Sequence, residues 1–267
     1  MSDPPRIRPP RLRWMLPALV VAMMLGGGAL LAAAAVTSIG GLDRAGDPEE
    51  PRVATAPTET AAPAPTRTPA SASAPVSGIP IAELADPAWT QRIAAAGDIP
   101  ERAMAAYAGA ALAVAGTHPA CGLGWNTLAA IGLVETLHGS MHGATLHADG
   151  TVLPAIVGIA LDGDGTIPVP DTDGGAIDGD AVWDRAVGPM QFIPSTWALA
   201  AQDGDRDGVT DINQIDDAVL AAAVHLCEVG GDLTQPENWI AAVSAYNPSL
   251  DYNHRVAAAA NSYATLE

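Results

Sequence analysis

Residues 125–139 read WNTLAAIGLVETLHG. Leu128, Ile131 and Glu135 recur at i, i+3 and i+7, which is one face of a helix, and Gly139 supplies a stop. The pattern predicts a helix over 125–137. An ionisable group on an apolar stripe is costly unless it serves a purpose. Gly132, three residues before Glu135, removes a side chain and is expected to leave room there for a ligand. Glu135 also lies in the last turn, where the helix dipole is negative. Burial and the dipole both disfavour the carboxylate and raise its pKa, which suits a general acid near neutral pH. Spacing alone equally allows a solvated Glu at a helix end.

Outward from this stretch the pattern stays helical. Pro100 fits a first helical position ahead of ERAMAAYAGAALAVAG, with Gly116 as a stop. Further helices are expected at 194–201, 216–228, 238–246 and 250–264, and short strands near 152–159. A Gly-, Asp- and Pro-rich connection covers about 140–188, a length that in a compact domain signals function or local mobility. Residues 183–197 read WDRAVGPMQFIPSTW. Trp183, Phe192 and Trp197 offer flat apolar surface beside Met190, and Gln191 offers an amide. Aromatic faces with amides suit a sugar, whose rings have apolar faces and hydroxyl edges; the competing reading puts the aromatics in the core. A third block, AVSAYNPS at 242–249, places Tyr246 and Asn247 at a helix end.

The chain has 267 residues, a formal charge of −18 and 12 basic residues, all Arg. The apolar content of 49% excludes a wholly disordered chain, and the lack of a basic footprint excludes nucleic acid as a partner. The charge is uneven. Residues 1–13 carry Arg6, Arg8, Arg11 and Arg13 against Asp3. Residues 14–42 carry no charge and include an apolar run long enough to cross a bilayer, which takes about 20 helical residues. Arg on the N-terminal side places that end in the cytoplasm. The expectation is a single-pass anchor in the cell membrane with everything after it on the cell-wall side; the alternative is a cleaved signal with Ala33, Ala34 and Ala35 at the cleavage region. Residues 43–80 contain eight Pro and read as a disordered, extended spacer. Residues 81–267 hold 24 acids and five Arg, a net of −19, with enough chain for one domain. Cys121 and Cys227 are the only cysteines. In an oxidising compartment they are expected to be bridged, closing a loop whose constraint is worth about 4 kcal/mol.

Thirteen of the 21 Asp fall between Asp162 and Asp217. Asp203, Asp205, Asp207 and Gly208 have the 1, 3, 5, 6 pattern of an EF-hand loop, Val209 stands at the carbonyl position 7 and Asp211 at 9. Position 12 is Gln214, and Asp217 lies three residues later as a substitute ligand. The segment reads as a weak structural Ca²⁺ site or as an acidic surface loop. No cofactor is required by the reading of Glu135. Glu135 and His138 form half of a di-iron motif without its second half, so His138 is expected to be a groove or structural residue.

Together the three blocks resemble the B-type lytic murein transglycosylases, and most closely their membrane-anchored actinobacterial branch, over about residues 97–264. GPMQFIPSTW at 188–197 is the most specific stretch; VPDTDGGAIDGDAVWDRAV and DGDRDGVTDINQIDDA match in order. The resemblance implies a mainly α, lysozyme-like domain with long Asp/Gly-rich loops. It implies peptidoglycan glycan strands as the partner, cut at the β-1,4 bond between N-acetylmuramic acid and N-acetylglucosamine with a 1,6-anhydro product. The family's single catalytic Glu falls on Glu135. Thr136 stands where the family usually has Ser. Gln191, with Met190 and Phe192, and the Tyr246–Asn247 pair fall on positions lining the groove. The rivals are a muramidase on the same fold, needing a second carboxylate for which Asp184 is the nearest candidate, and a non-catalytic wall-binding scaffold.

Overall fold

The structure is a computed structural model that describes residues 78–266. The expected anchor at 14–42 and all but the last three residues of the expected spacer lie outside the described residues. Among those described, no helix is long and apolar enough to cross a membrane.

The described residues form seven α-helices and four short strands, and the expected mainly α class holds. Helix α1 is Pro87–Gly97. Pro87 opens it, and the Asp86 carboxylate caps it by accepting the Trp89 N–H, a donor that helix geometry leaves without a partner. Helix α2, Glu101–Thr117, is rich in Ala and lets its neighbours approach closely; α1 and the turn at Ile81–Glu83 pack on it. Helix α3, Trp125–Thr136, carries Glu135. Nine of its 12 residues are buried, so the single apolar face read from the spacing understates the case: a helix buried on nearly all sides sits inside the core. Ala129 and Ala130, which broke no pattern, are buried as fully as Leu128 and Ile131.

The connection after α3 is ordered as two small antiparallel ribbons. Strand β1, Thr145–Leu146, pairs with β2, Val152–Leu153. Strand β3, Val157–Ala160, pairs with β4, Arg185–Val187. Helix α4 is Pro194–Ala200, α5 Ile215–Gly230, α6 Pro236–Tyr246 and α7 Leu250–Tyr263. Helix α3 packs against α2 on one side and α7 on the other, while α5 lies along α2. One continuous core runs through these helices and takes in Tyr107, Leu128, Ile131, Phe192, Trp197 and Tyr246. Cys121 and Cys227 are bridged, as expected. The bridge fastens the approach to α3 onto the end of α5, where the Leu233 N–H also donates to the Cys121 carbonyl at 2.7 Å.

Candidate active site

The end of α3 builds the site. Leu137, His138 and Gly139 have φ of 53°, 59° and 80°, three consecutive residues in the left-handed region. For Leu and His that conformation costs roughly 1–2 kcal/mol each, and the surroundings supply the restraint. The His138 N–H donates to the Gly132 carbonyl at 2.9 Å. Thr136, fully buried, donates its hydroxyl to the Pro189 carbonyl at 2.7 Å and accepts the Gly139 N–H at 2.9 Å. It ties the end of α3 to the Gly188–Pro189 turn.

His138 is 3% exposed. Its Nδ1 lies 3.0 Å from the Tyr107 hydroxyl and its Nε2 lies 3.2 Å from the Tyr263 hydroxyl. Burial pushes its pKa down to about 4, so at neutral pH the ring is uncharged, with one nitrogen donating and the other accepting. The space beside Gly132 is filled by protein, contrary to the expectation of a ligand there: a Cβ at that position would lie 2.0 Å from the Tyr107 hydroxyl oxygen. Gly132 exists to admit Tyr107, and Tyr107 in turn holds His138.

Glu135 is 9% exposed. Its Oε1 is buried with no hydrogen-bond partner among the described residues. Burial raises its pKa to about 8, against smaller opposing influences from the Tyr252 hydroxyl and the Arg255 guanidinium. The direction is that expected from the sequence. The Tyr252 hydroxyl is itself buried, without a hydrogen-bond partner of standard geometry among the described residues; burial and the neighbouring Glu135 hold its pKa well above the phenol range. Tyr246, also fully buried, is raised by burial and by Glu135. Arg255 reaches the carbonyl of Val134 at 3.5 Å. Helices α3, α6 and α7 thus bring one carboxyl, two tyrosines and one guanidinium together.

Gly188 has φ 81°, and a Cβ there would lie 2.0 Å from the Ile212 carbonyl oxygen, so only glycine fits this turn. The backbone then closes between Val187 and Phe192 by two hydrogen bonds of 2.8 and 3.0 Å. Gln191 sits at the tip with φ 50°, half-buried, its amide donating to the carbonyls of Gly188 at 2.9 Å and Ile156 at 3.2 Å. Tyr246 donates its hydroxyl to the Met190 carbonyl at 2.7 Å. Phe192 packs its ring between those of Trp197 and Tyr246. The Asn247 side chain caps the turn into α7 by accepting the Ser249 N–H at 2.9 Å.

These placements revise the expected groove lining. Thr136, His138, Met190, Phe192, Tyr246 and Asn247 are buried, because each is used to hold α3, α6 and the 188–192 turn in register. Gln191 is the member of that set with substantial exposure. Phe192 and Trp197 are core, and Trp183 is half-buried. Tyr252 and Arg255 lie outside the three blocks that the sequence marks. Their signal was present: α7 carries them three residues apart, on one helical face, directly after the Tyr246–Asn247 block, and Arg255 is one of only five Arg after residue 80.

The acidic loops fold around their own carboxylates. Asp203, Asp205 and Asp217 bring carboxylate oxygens within 4.8 Å of one another, and so do Asp171, Asp173 and Asp184. Asp207 and Asp211 are not in the first set, and Gln214 is turned away from it: its side chain caps α5 by accepting the N–H groups of Asp216 and Asp217. Asp217 takes over, accepting the N–H groups of Gly204 at 2.6 Å and Asp211 at 2.8 Å. Burial lifts its pKa to about 7, with Asp205 adding to the effect. Asp203 Oδ1 is buried without a hydrogen-bond partner among the described residues. Converging carboxylates with an unused oxygen fit a hard, oxygen-seeking cation. Asp184 is fully buried and accepts both the N–H and the hydroxyl of Thr172, at 2.9 and 2.7 Å.

Residues 176–265 match the family model of the transglycosylase SLT domain. No curated protein and no solved structure matches the chain. The matched stretch contains β4 and helices α4 to α7, and with them Gln191, Tyr246, Tyr252 and Arg255. It begins after Glu135, which reaches it through the packing of α3 on α7.

Proposed function

We propose that this protein is a lytic transglycosylase of the B-type, membrane-anchored branch. It cleaves the β-1,4 bond between N-acetylmuramic acid and N-acetylglucosamine in peptidoglycan and leaves a 1,6-anhydro ring on the muramic acid. Three supports are the match of residues 176–265 to a transglycosylase domain, the motif order from 97 to 264, and the site itself. The observation that carries the reading is Glu135: a carboxyl buried at the end of α3, one oxygen without a partner, its pKa held at about 8. At neutral pH such a group keeps its proton until a partner accepts it.

In this reading Glu135 donates its proton to the glycosidic oxygen. The bond from the muramyl C1 to that oxygen breaks, and the leaving sugar departs as a 4-hydroxyl. The substrate's N-acetyl oxygen stabilises the cation developing at C1. Glu135, now a carboxylate, takes the proton of the C6 hydroxyl as O6 bonds to C1. The proton count closes, and one residue serves as acid and then base. Arg255 and Tyr252 favour the carboxylate while it exists between the two transfers. A hydrolytic muramidase would need a free second carboxylate, and Asp184 is already committed to Thr172.

The anchor at 14–42 and the spacer at 43–80 are proposed to hold this domain against the wall side of the cell membrane. The loop at 203–217 is proposed to hold a structural Ca²⁺ on Asp203, Asp205 and Asp217, which would neutralise converging charge. Mass spectrometry of digested peptidoglycan tests the reaction. Wild type should release products lighter by one water than the hydrolysed ones, and Glu135→Gln should release none. Anhydro products from Glu135→Gln would overturn the mechanism.

A further inference from the structure

We propose that Arg255 anchors an anionic group of the substrate, so that the site served by Glu135 selects a glycan bearing carboxylates over a neutral one. This rests on the reading of Glu135 as the acid of a glycan site. The chain after residue 80 carries a net charge of −19 with five Arg. Two of them are committed. Arg102 grips the buried Asp216 through two nitrogens and also donates to the Ala148 carbonyl. Arg185 holds Asp180 and donates to the Gly158 carbonyl at 3.1 Å.

Arg255 is held differently. Its contact with Asp251 is 4.0 Å, and the Asp251 side chain is 73% exposed, a pairing of the kind that contributes about 0–1 kcal/mol. Among the described residues it also donates to the Val134 carbonyl at 3.5 Å, at the outer limit of a hydrogen bond, and its charge acts on Glu135. A guanidinium carries five N–H donors in a fork that matches a carboxylate. The Arg255 side chain keeps 30% of its surface open, and Val134 is the residue before Glu135. An accessible, weakly partnered fork therefore stands beside the candidate acid, in a domain whose overall charge repels anions. A substrate anion that reaches Glu135 meets its local counter-charge at Arg255. The proposed glycan carries such groups on its muramyl side, either a free lactyl carboxylate or the carboxylates of a stem peptide.

Calorimetric binding to the Glu135→Gln protein, which holds the strand without cutting it, tests this with three glycans. They are a stem-bearing strand, a strand stripped of stems with its lactyl carboxylates free, and a neutral N-acetylglucosamine oligomer. Adding Arg255→Gln should weaken binding of a carboxylate-bearing strand roughly tenfold or more, the scale of a charged hydrogen bond. The effect should shrink in about 0.5 M salt, where screening acts over a few ångströms. Loss on the stripped strand alone identifies the lactyl group, and loss on the stem-bearing strand alone identifies the stem. Arg255→Lys should keep part of the affinity, because the charge stays. Binding of the neutral oligomer should be unchanged. Equal losses on all three glycans, or no loss on any, would overturn the proposal while leaving Glu135 its role. If the Glu135→Gln protein with Arg255 intact bound no glycan at all, the reading of the site itself would fall.

Discussion

Replacing Glu135 by Gln should change the pH dependence of stability as well as activity. Gln keeps the shape of the side chain and cannot titrate. In the folded protein the Glu135 carboxyl has its pKa lifted to about 8 from an ordinary value of 4.5. A raised carboxyl pKa means that the folded state binds the proton more tightly than the unfolded chain. Stability is then fully present below pH 4.5, falls as the pH rises and reaches its lower plateau above 8. At about 1.4 kcal/mol for each tenfold change in proton affinity, ionising Glu135 in place costs roughly 4–5 kcal/mol in all. Between pH 5 and pH 8.5 wild type should lose about 3–4 kcal/mol that the Glu135→Gln protein keeps. Asp217 and His138 titrate in both proteins and cancel in the difference. Urea unfolding of the two proteins at half-unit pH steps measures that difference directly. The variant should gain on wild type throughout the range, by an amount equal to roughly 10 °C in melting temperature at the alkaline end. Parallel stability curves from pH 5 to pH 8.5 would show that Glu135 is not a buried, proton-holding acid, and the catalytic argument built on it would fail.

Gly132→Ala should destabilise by about 2–4 kcal/mol, since the new methyl meets the buried Tyr107 hydroxyl and overpacking has little room to relax. Combining it with Tyr107→Phe should cost less than the two changes separately, and strict additivity in thermal unfolding would clear Tyr107 of the clash. Replacing Cys121 and Cys227 together by Ser should lower stability by about 4 kcal/mol, read as a melting temperature lower by roughly 10 °C; an unchanged value would mean that the bridge constrains little. Calcium at about 5 mM should raise the melting temperature by several degrees if the Asp203 loop binds at about 0.1–1 mM. Asp203→Asn should abolish that rise, and a rise that survives the substitution would move the ion elsewhere.

Much of this architecture is legible in the residues, and the gaps have physical causes. The 194–201, 238–246 and 250–264 expectations fall within two residues of the observed helices, because Pro194, Pro236 and Ser249 mark their starts. Helix α1 lies outside the expected helices, although Asp86 and Pro87 form a standard cap and first turn; its short, Ala-rich body carries weak periodicity. Glu135 was legible because a charge on an apolar stripe is anomalous. The surroundings of Glu135 were not, since which side chain fills the space at Gly132 depends on α2, some 25 residues earlier in the chain. The same holds for the groove. A motif shows that Thr136, Met190 and Tyr246 belong near the acid, yet only packing shows that they brace it from behind. The Asp203 pattern gave the loop, whereas the use of Gln214 as a helix cap moved the closing carboxylate to Asp217.

The Cys121–Cys227 bridge joins residues 106 positions apart, and the exposed turn at 162–165 lies inside that span. A protease that nicks the turn would therefore open a ring without releasing a fragment. The piece bearing Glu135 and the piece bearing Gln191, Tyr252 and Arg255 would stay tethered sulfur to sulfur. They would part only if the bridge were reduced and the interface between α3 and α7 gave way. On the wall side of the membrane, where the proposed function puts this domain, proteases are at hand and reductants scarce, and one covalent staple would let a backbone cut be survived.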